Sequence, residues 1–298
     1  MRTLVIVSRD KSDLFFANQL AATLDVVGIV VENQIPERDR SSLARKALKY
    51  ASTPGLFFRK VIEVADRKFV EPRQTYNDPR KSLDFGPQGL ALDVPEAVPV
   101  LQTTGVNDIN SAEYRDWIAQ QEPDVIAVCG ASILRKPVLS IARRGVLNLH
   151  GGLSQFYRGL FTTDWAIHNR EPECVGATVH FVSEGIDDGN VVFQGRPVIE
   201  ASDHPNSLYG KVVRLGTRMM IDAIRDFETS ERQAAPLSSP GRMFLNDRFD
   251  LKAKRRTWRQ IENGVLEEYL RDRGDRDQRI KAAMLNDYAA PSTKATCA

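Results

Sequence analysis

The sequence predicts an α/β fold, a Rossmann-like and mostly parallel sheet with helices on both faces, and three observations predict it. Leu4 to Val7 is an apolar run, a helix opening at Asp13 carries Leu14, Ala17, Ala21 and Leu24 at helical spacing, and Val26 to Val31 is a second apolar run. Strand, helix, strand makes a βαβ unit and hence parallel pairing. Val125 to Cys129 is continuously apolar, the mark of a strand buried on both faces. Val146, Leu147 and Leu149 follow Gly145 as another buried strand, which Gly151 and Gly152 end at once.

At 298 residues the chain is long enough for one large or two small domains. Its 42% hydrophobic and 27% charged residues are the balance of a soluble globular protein. A net charge of +2 carries no basic excess that would call for nucleic acid. Cys129, Cys174 and Cys297 are odd in number, far apart and without a C-x-x-C pair, so zinc and disulfides are not expected and a reducing cytoplasm is. The opening MRTLVIVSRD reads as a first strand rather than a signal peptide. No stretch approaches the ~20 apolar residues of a membrane span, so no membrane partner is expected.

After the first strand, the turn Ser8 to Ser12 has no glycines and holds Arg9 and Lys11 instead, so it is no dinucleotide fingerprint. Residues 33–98 read as an irregular insertion: a basic helical segment from Arg38 to Tyr50, a helix from Leu56 to Lys68, then a Pro- and Gly-containing stretch from Glu71 to Pro95. Val98 to Leu101 is expected as a short strand, and Asn110 with Glu113 as a capping box for a helix carrying Tyr114, Trp117 and Ile118. Gly130 to Leu134 is a loop. Asp164 to Asn169 reads as a short helix with Trp165 inward, and Ala177 to Val182 as a strand whose His180 is taken as structural. Val191 to Gln194 and Pro197 to Glu200 read as short strands, and Pro205 to Phe227 as a long amphipathic helix with Leu208, Val212, Leu215 and Met219 on its core stripe.

The catalytic domain is expected over 1–233. Composition then shifts: Pro236, Ser238, Ser239 and Pro240 form a linker, Gly241 to Phe249 a hairpin and Thr257 to Leu270 a helix. Residues 234–298 are therefore expected as a small C-terminal hairpin-helix extension whose last residues are disordered.

Asn148 and His150 stand two apart on a strand and so share one face. They sit at the carboxyl end of a buried strand, where open α/β sheets bind ligands. Taken singly, such residues are most often satisfied structural groups. The order of short motifs is more specific: Asn148-Leu149-His150, Tyr157-Arg158-Gly159, a helix with Trp165, Gly176-Ala177-Thr178-Val179-His180, and Asp187-Asp188-Gly189. In this order they resemble the formyltransferases that use 10-formyltetrahydrofolate, over roughly Pro99 to Phe227.

The resemblance implies a metal-free transfer of a formyl group, with 10-formyltetrahydrofolate as co-substrate. It gives Asn148 the role of donor to the developing oxyanion. His150 becomes the general base toward the amine or a group that holds the tetrahedral intermediate. Asp187, the acid two residues before the glycine, steers His150 or a bridging water, and Asp188 occupies the variable slot. Gly130, Ser132, Ile133 and Leu134 would surround the pterin ring; Tyr157 and Arg158 would contact the acceptor or its phosphates, with bracing of the loop an equal alternative for an Arg beside a Gly.

Two departures bear on the acceptor. Gly151 to Phe156 keeps the length of a loop that in many members holds proline and leucines, and a glycine directly after the histidine is similar to members acting on nucleotide-linked amino sugars. The glycine-poor turn after the first strand speaks against glycinamide ribonucleotide, and the stretch after Gln233 is shorter than the barrel-like domain of methionyl-tRNA formyltransferases. The expected partners are a small-molecule amine, in the first place a nucleotide sugar, and a second copy of the chain as a homodimer, without nucleic acid. An amino acid or other metabolite amine as acceptor, a hydrolase acting on the same folate, and an inactive binding or scaffold homologue are the alternatives.

Overall fold

The computed structural model describes residues 1–33, 64–105, 107–229, 233–245 and 249–289, with Gly55 and Ile62. The helix expected at Arg38 to Tyr50, most of that at Leu56 to Lys68 and the final residues of the chain lie outside them. The chain divides into two units, 1–34 with 83–298, and 35–82. In the smaller unit, short helical turns at Asp66–Val70, Glu71–Arg73, Thr75–Asn77 and Pro79–Lys81 succeed one another. Tyr76 donates its hydroxyl to Glu71 Oε2 at 2.6 Å, and Asp78 accepts from the Arg80 amide.

The larger unit is built on a sheet of β1 (Thr3–Val7), β2 (Val26–Val31), β3 (Val100–Gln102), β4 (Val125–Cys129), β5 (Val146–His150), β7 (Ala177–Phe181) and β8 (Val191–Gly195). Their spatial order is β3-β2-β1-β4-β5-β7-β8; the first five pair in parallel, while β7 runs antiparallel to β5 and β8 antiparallel to β7. Chain order reverses between β1 and β4, and at such a switch point the loops leaving adjacent strands diverge and open a crevice.

Alternation along the central strands explains why both faces are covered. Val5, Val7, Ala127, Cys129, Leu147 and Leu149 belong to one apolar cluster. Leu4, Ile6, Ile126, Val128 and Val146 belong to another on the opposite face. The first cluster is closed by α1 (Lys11–Ala21) through Phe16, Ala17 and Leu20, and by α5 (Pro205–Thr229) through Leu208, Val212 and Met219. The second is closed by α2 (Ala112–Gln120) through Tyr114 and Ile118, with α3 (Lys136–Leu139) adding Val138. α4 (Thr162–His168) sets Trp165 into the first cluster.

Four local expectations are corrected. Asn110 caps nothing: Ser111 precedes α2, and the Asn110 side chain instead donates to the Ile133 carbonyl and accepts from the Arg135 amide. Pro197 to Glu200 forms no strand. Among the described residues from Gly241 to Phe249 there is no hairpin pairing; β9 (Arg242–Phe244) pairs in parallel with β6 (Tyr157–Gly159) as a separate two-stranded sheet. The helix expected over Thr257 to Leu270 is two, α6 (Leu251–Glu262) and α7 (Val265–Arg271), parted at Asn263-Gly264, and α8 (Arg273–Ala283) follows. Among the described residues no helix is long and apolar enough to cross a membrane.

Candidate active site

β5 delivers Asn148 and His150 to the carboxyl edge of the sheet on the face of Val146. Its antiparallel neighbour β7 places His180 directly opposite Asn148. The turn after β7 then returns Asp187 beneath them, with φ +50°, a left-handed conformation that a short polar side chain tolerates better than most.

The four side chains satisfy one another. His150 Nδ1 lies 3.4 Å from Asp187 Oδ2 and His180 Nε2 lies 3.5 Å from Asp187 Oδ1. Asn148 Nδ2 is 3.4 Å from Asp187 Oδ1 and 3.2 Å from His180 Nε2. Since a carboxylate can only accept, the Asn148 amide nitrogen is the atom turned toward it. These distances are at the long end for hydrogen bonds, so an incoming oxygen can draw the amide away at small cost. The remaining His150 nitrogen, Nε2, donates to the Tyr157 carbonyl at 2.9 Å, and His180 Nδ1 donates to the Phe181 carbonyl at 2.9 Å. His150 is 6% exposed and Asp187 13%. Burial disfavours the Asp187 carboxylate most strongly, yet the positive charge of His150, the bond and charge of His180 and the Gly159 amide outweigh it and hold the carboxyl well below its ordinary range. That amide donates to Oδ2 at 2.9 Å.

Asp188, by contrast, bonds Ser183 and takes no part in this cluster. Tyr157 is fully buried, its hydroxyl shared among Glu171, Asn169 and Arg242, so the structure puts it in the core rather than at a surface an acceptor reaches. Arg158 donates to the carbonyls of Ile186 at 3.1 Å and Gly241 at 3.2 Å, bracing the loop that carries Asp187.

The loop after β4 starts at Gly130 with φ +69°, and a Cβ there would lie 1.8 Å from Asp13 Oδ2, so only glycine fits. Asp13 also accepts from Ser8 at 2.5 Å and Ser12 at 2.9 Å. The Ser132 amide donates to Glu32 Oε2 at 2.6 Å, and the other Glu32 oxygen is buried without a hydrogen-bond partner. Ile133 stands exposed and Leu134 is buried. Asp13 and Glu32 were not singled out in the sequence because each is an isolated acid, one in the first turn of α1 and one just past β2; the loop after β4, which pairs beside β1, is what meets them. His180 was read as structural, and only its register opposite Asn148 brings it to Asp187. Among the described residues no group of three or more His, Cys, Asp and Glu is arranged to hold a metal ion.

Residues 69–224 match the family described as Formyl transferase. The methionyl-tRNA formyltransferase of Chlorobium chlorochromatii is 28% identical over 166 residues, 56% of this chain and 50% of its own length. That of Methylacidiphilum infernorum is 34% identical over 130 residues, 43% of this chain and 40% of its own. The chain thus spans half or less of the length of these curated relatives. A solved sugar N-formyltransferase from a Shewanella species shares the fold, with a TM-score of 0.52 at 16% identity over 87% of this chain and 88% of that one.

Proposed function

The chain belongs to the formyl transferase family, and on that footing we propose that it moves a formyl group from 10-formyltetrahydrofolate to a primary amine of a small acceptor, a nucleotide-linked amino sugar. The observation that carries the transfer is the convergence of Asn148, His150 and Asp187, with a carboxylate oxygen 3.4 Å from each of its two partners.

The amine lone pair attacks the formyl carbon, a C–N bond forms, and the carbonyl becomes an oxyanion. Asn148 donates an amide N–H to that oxygen. With Nε2 committed to the Tyr157 carbonyl and Nδ1 facing Asp187, His150 has no free lone pair to offer the amine. An imidazole so held lies beside the oxyanion rather than reaching for the amine, which favours the second of the two roles weighed for it. A carboxyl held as far down as that of Asp187 is a weak base, so its work is to orient His150. The proton on the attacking nitrogen, made acidic by bond formation, passes to the folate nitrogen as the bond from that nitrogen to the formyl carbon breaks. The exposed Ile133 side chain beside buried Leu134 gives a flat aromatic ring an apolar surface to cover, the fit a pterin needs at the loop after β4.

A small acceptor agrees with a net charge of +2, which gives little of the basic surface that holds tRNA. The methionyl-tRNA formyltransferases among the relatives favour a second reading, methionyl-tRNA as acceptor. The test is to incubate the protein with 10-formyltetrahydrofolate and, separately, nucleotide amino sugars, metabolite amines, methionyl-tRNA or no amine, following tetrahydrofolate and formylated product by mass spectrometry. Formylated amino sugar is the expected product, and Asn148→Ala is expected to lower kcat about 100- to 1,000-fold. Formylated tRNA would install the second reading, formate without an amine would mean a hydrolase, and no tetrahydrofolate under any condition would end the proposal.

A further inference from the structure

β6 is only three residues long, yet two of its backbone groups hold the catalytic cluster: the Tyr157 carbonyl accepts a hydrogen bond from His150 Nε2, and the Gly159 amide donates to Asp187. So short a strand does not fix its own geometry. Among the described residues its partner is β9, which lies some eighty residues downstream in sequence and beyond the stretch 69–224 that matches the family.

The attachment is dense. The Gly241 amide donates to the Ser154 carbonyl at 2.9 Å, the Arg242 amide to Phe156 at 3.0 Å, and the Leu160 amide returns to Phe244 at 2.9 Å. The Arg242 guanidinium lies 4.7 Å over the Tyr157 ring, donates to the Tyr157 hydroxyl at 2.7 Å and reaches Glu171. Phe244 stacks on Tyr157 at 5.4 Å and on Trp165 at 4.7 Å. The side chain of Tyr157 is thus clamped from the C-terminal segment, while its carbonyl oxygen aims at the imidazole.

We propose that Gly241 to Phe244 is a positioning element of the catalytic centre and that Arg242 anchors it, holding the Tyr157 carbonyl and Gly159 amide, and through them His150 and Asp187, in working geometry. The kinetic part of this rests on the formyl transfer proposed above. The orientation of the imidazole does not.

The experiment compares wild type, Arg242→Ala and Arg242→Lys by three readouts: kcat and KM with their pH profiles, melting temperature, and the His150 ring-nitrogen NMR signals. Arg242→Ala is expected to lower kcat roughly tenfold or more, as loss of alignment does, with KM within roughly twofold. Its pH profile of kcat shifts and the His150 Nε2–H signal broadens or moves, while Arg242→Lys, which keeps a cation over the ring, recovers much of both. A fall in melting temperature with wild-type kcat, pH profile and His150 signal would overturn the proposal, as would no change in any readout. If wild type transfers no formyl group, the function proposed above fails and the NMR comparison alone decides this one. Should Arg242→Ala not fold, Phe244→Leu, which removes the stacking on Tyr157, is judged by the same criteria.

Discussion

Asp13 shows what burial does to one residue. It is 3% exposed at the start of α1, and burial raises its carboxyl from 3.8 to about 6 against the bonds from Ser8, Ser12 and Cys129. The folded state therefore holds the proton more tightly than the unfolded chain. Its stability is greatest below pH 3.8 as far as this group is concerned, declines as pH rises toward about 6, and levels off above, a cost of about 3 kcal/mol from 1.36 kcal/mol per unit. Asp13→Asn, close in shape, is expected to lose that dependence and to melt above wild type at pH 8 but not at pH 4, which parallel thermal melts would check. At this scale Asn148, His150 and Asp187 could be singled out beforehand because the motifs fix their order along the chain. His180 lay in one of the same motifs but was weighed as structural, because its register opposite Asn148 is set by strand pairing, and Asp13 and Glu32 carry no motif at all.

The loop between β5 and β6 shows the same division at the scale of an element. Its length was readable, and Gly151, directly after the histidine, was taken as a sign of the acceptor, while Gly152 beside it was given no role of its own. In the fold, a Cβ on Gly152 would lie 2.7 Å from His150 Nε2, 2.9 Å from the Tyr157 carbonyl oxygen and 3.0 Å from the Thr162 Cβ. The glycine therefore makes room for the His150 to Tyr157 hydrogen bond, whatever else it does. Gly152→Ala is expected to cost about 1–3 kcal/mol as an overpacked site and to lower kcat more than it changes KM. Denaturant melts and steady-state kinetics measure both, and a stable, fully active variant would contradict this reading. The central strands were legible because continuous apolar runs have few other uses. The stretch from Gly241 was misread as a hairpin because a three-residue strand carries no periodicity and its true partner is remote.

For the larger unit, the C-terminal helices are part of the core rather than an appendage. Val265, Leu266, Tyr269 and Ile280 are buried in the cluster that lies under the sheet. Glu173, 2% exposed, is held by Arg276 at 2.5 Å and Arg279 at 3.0 Å. Each large apolar side chain contributes about 1.5–3 kcal/mol by burial, and stranding a buried carboxylate costs about 3–5 kcal/mol, against a total stability of about 5–15 kcal/mol. A chain ending at residue 250 is therefore expected to show no cooperative unfolding transition by circular dichroism. A cooperative melt would mean that the segment is separable after all.

By itself the sequence determined the parallel α/β sheet and the identity of the three central polar groups, because apolar runs, helical spacing and motif order are properties of neighbouring residues. Only the tertiary structure decided that His180 joins them, that His150 Nε2 is bonded to the Tyr157 carbonyl while Nδ1 faces Asp187, and that Arg242 lies behind Tyr157. Those facts depend on strand register and on contacts between segments far apart in the chain, which are set by packing and hydrogen-bond satisfaction in the folded unit.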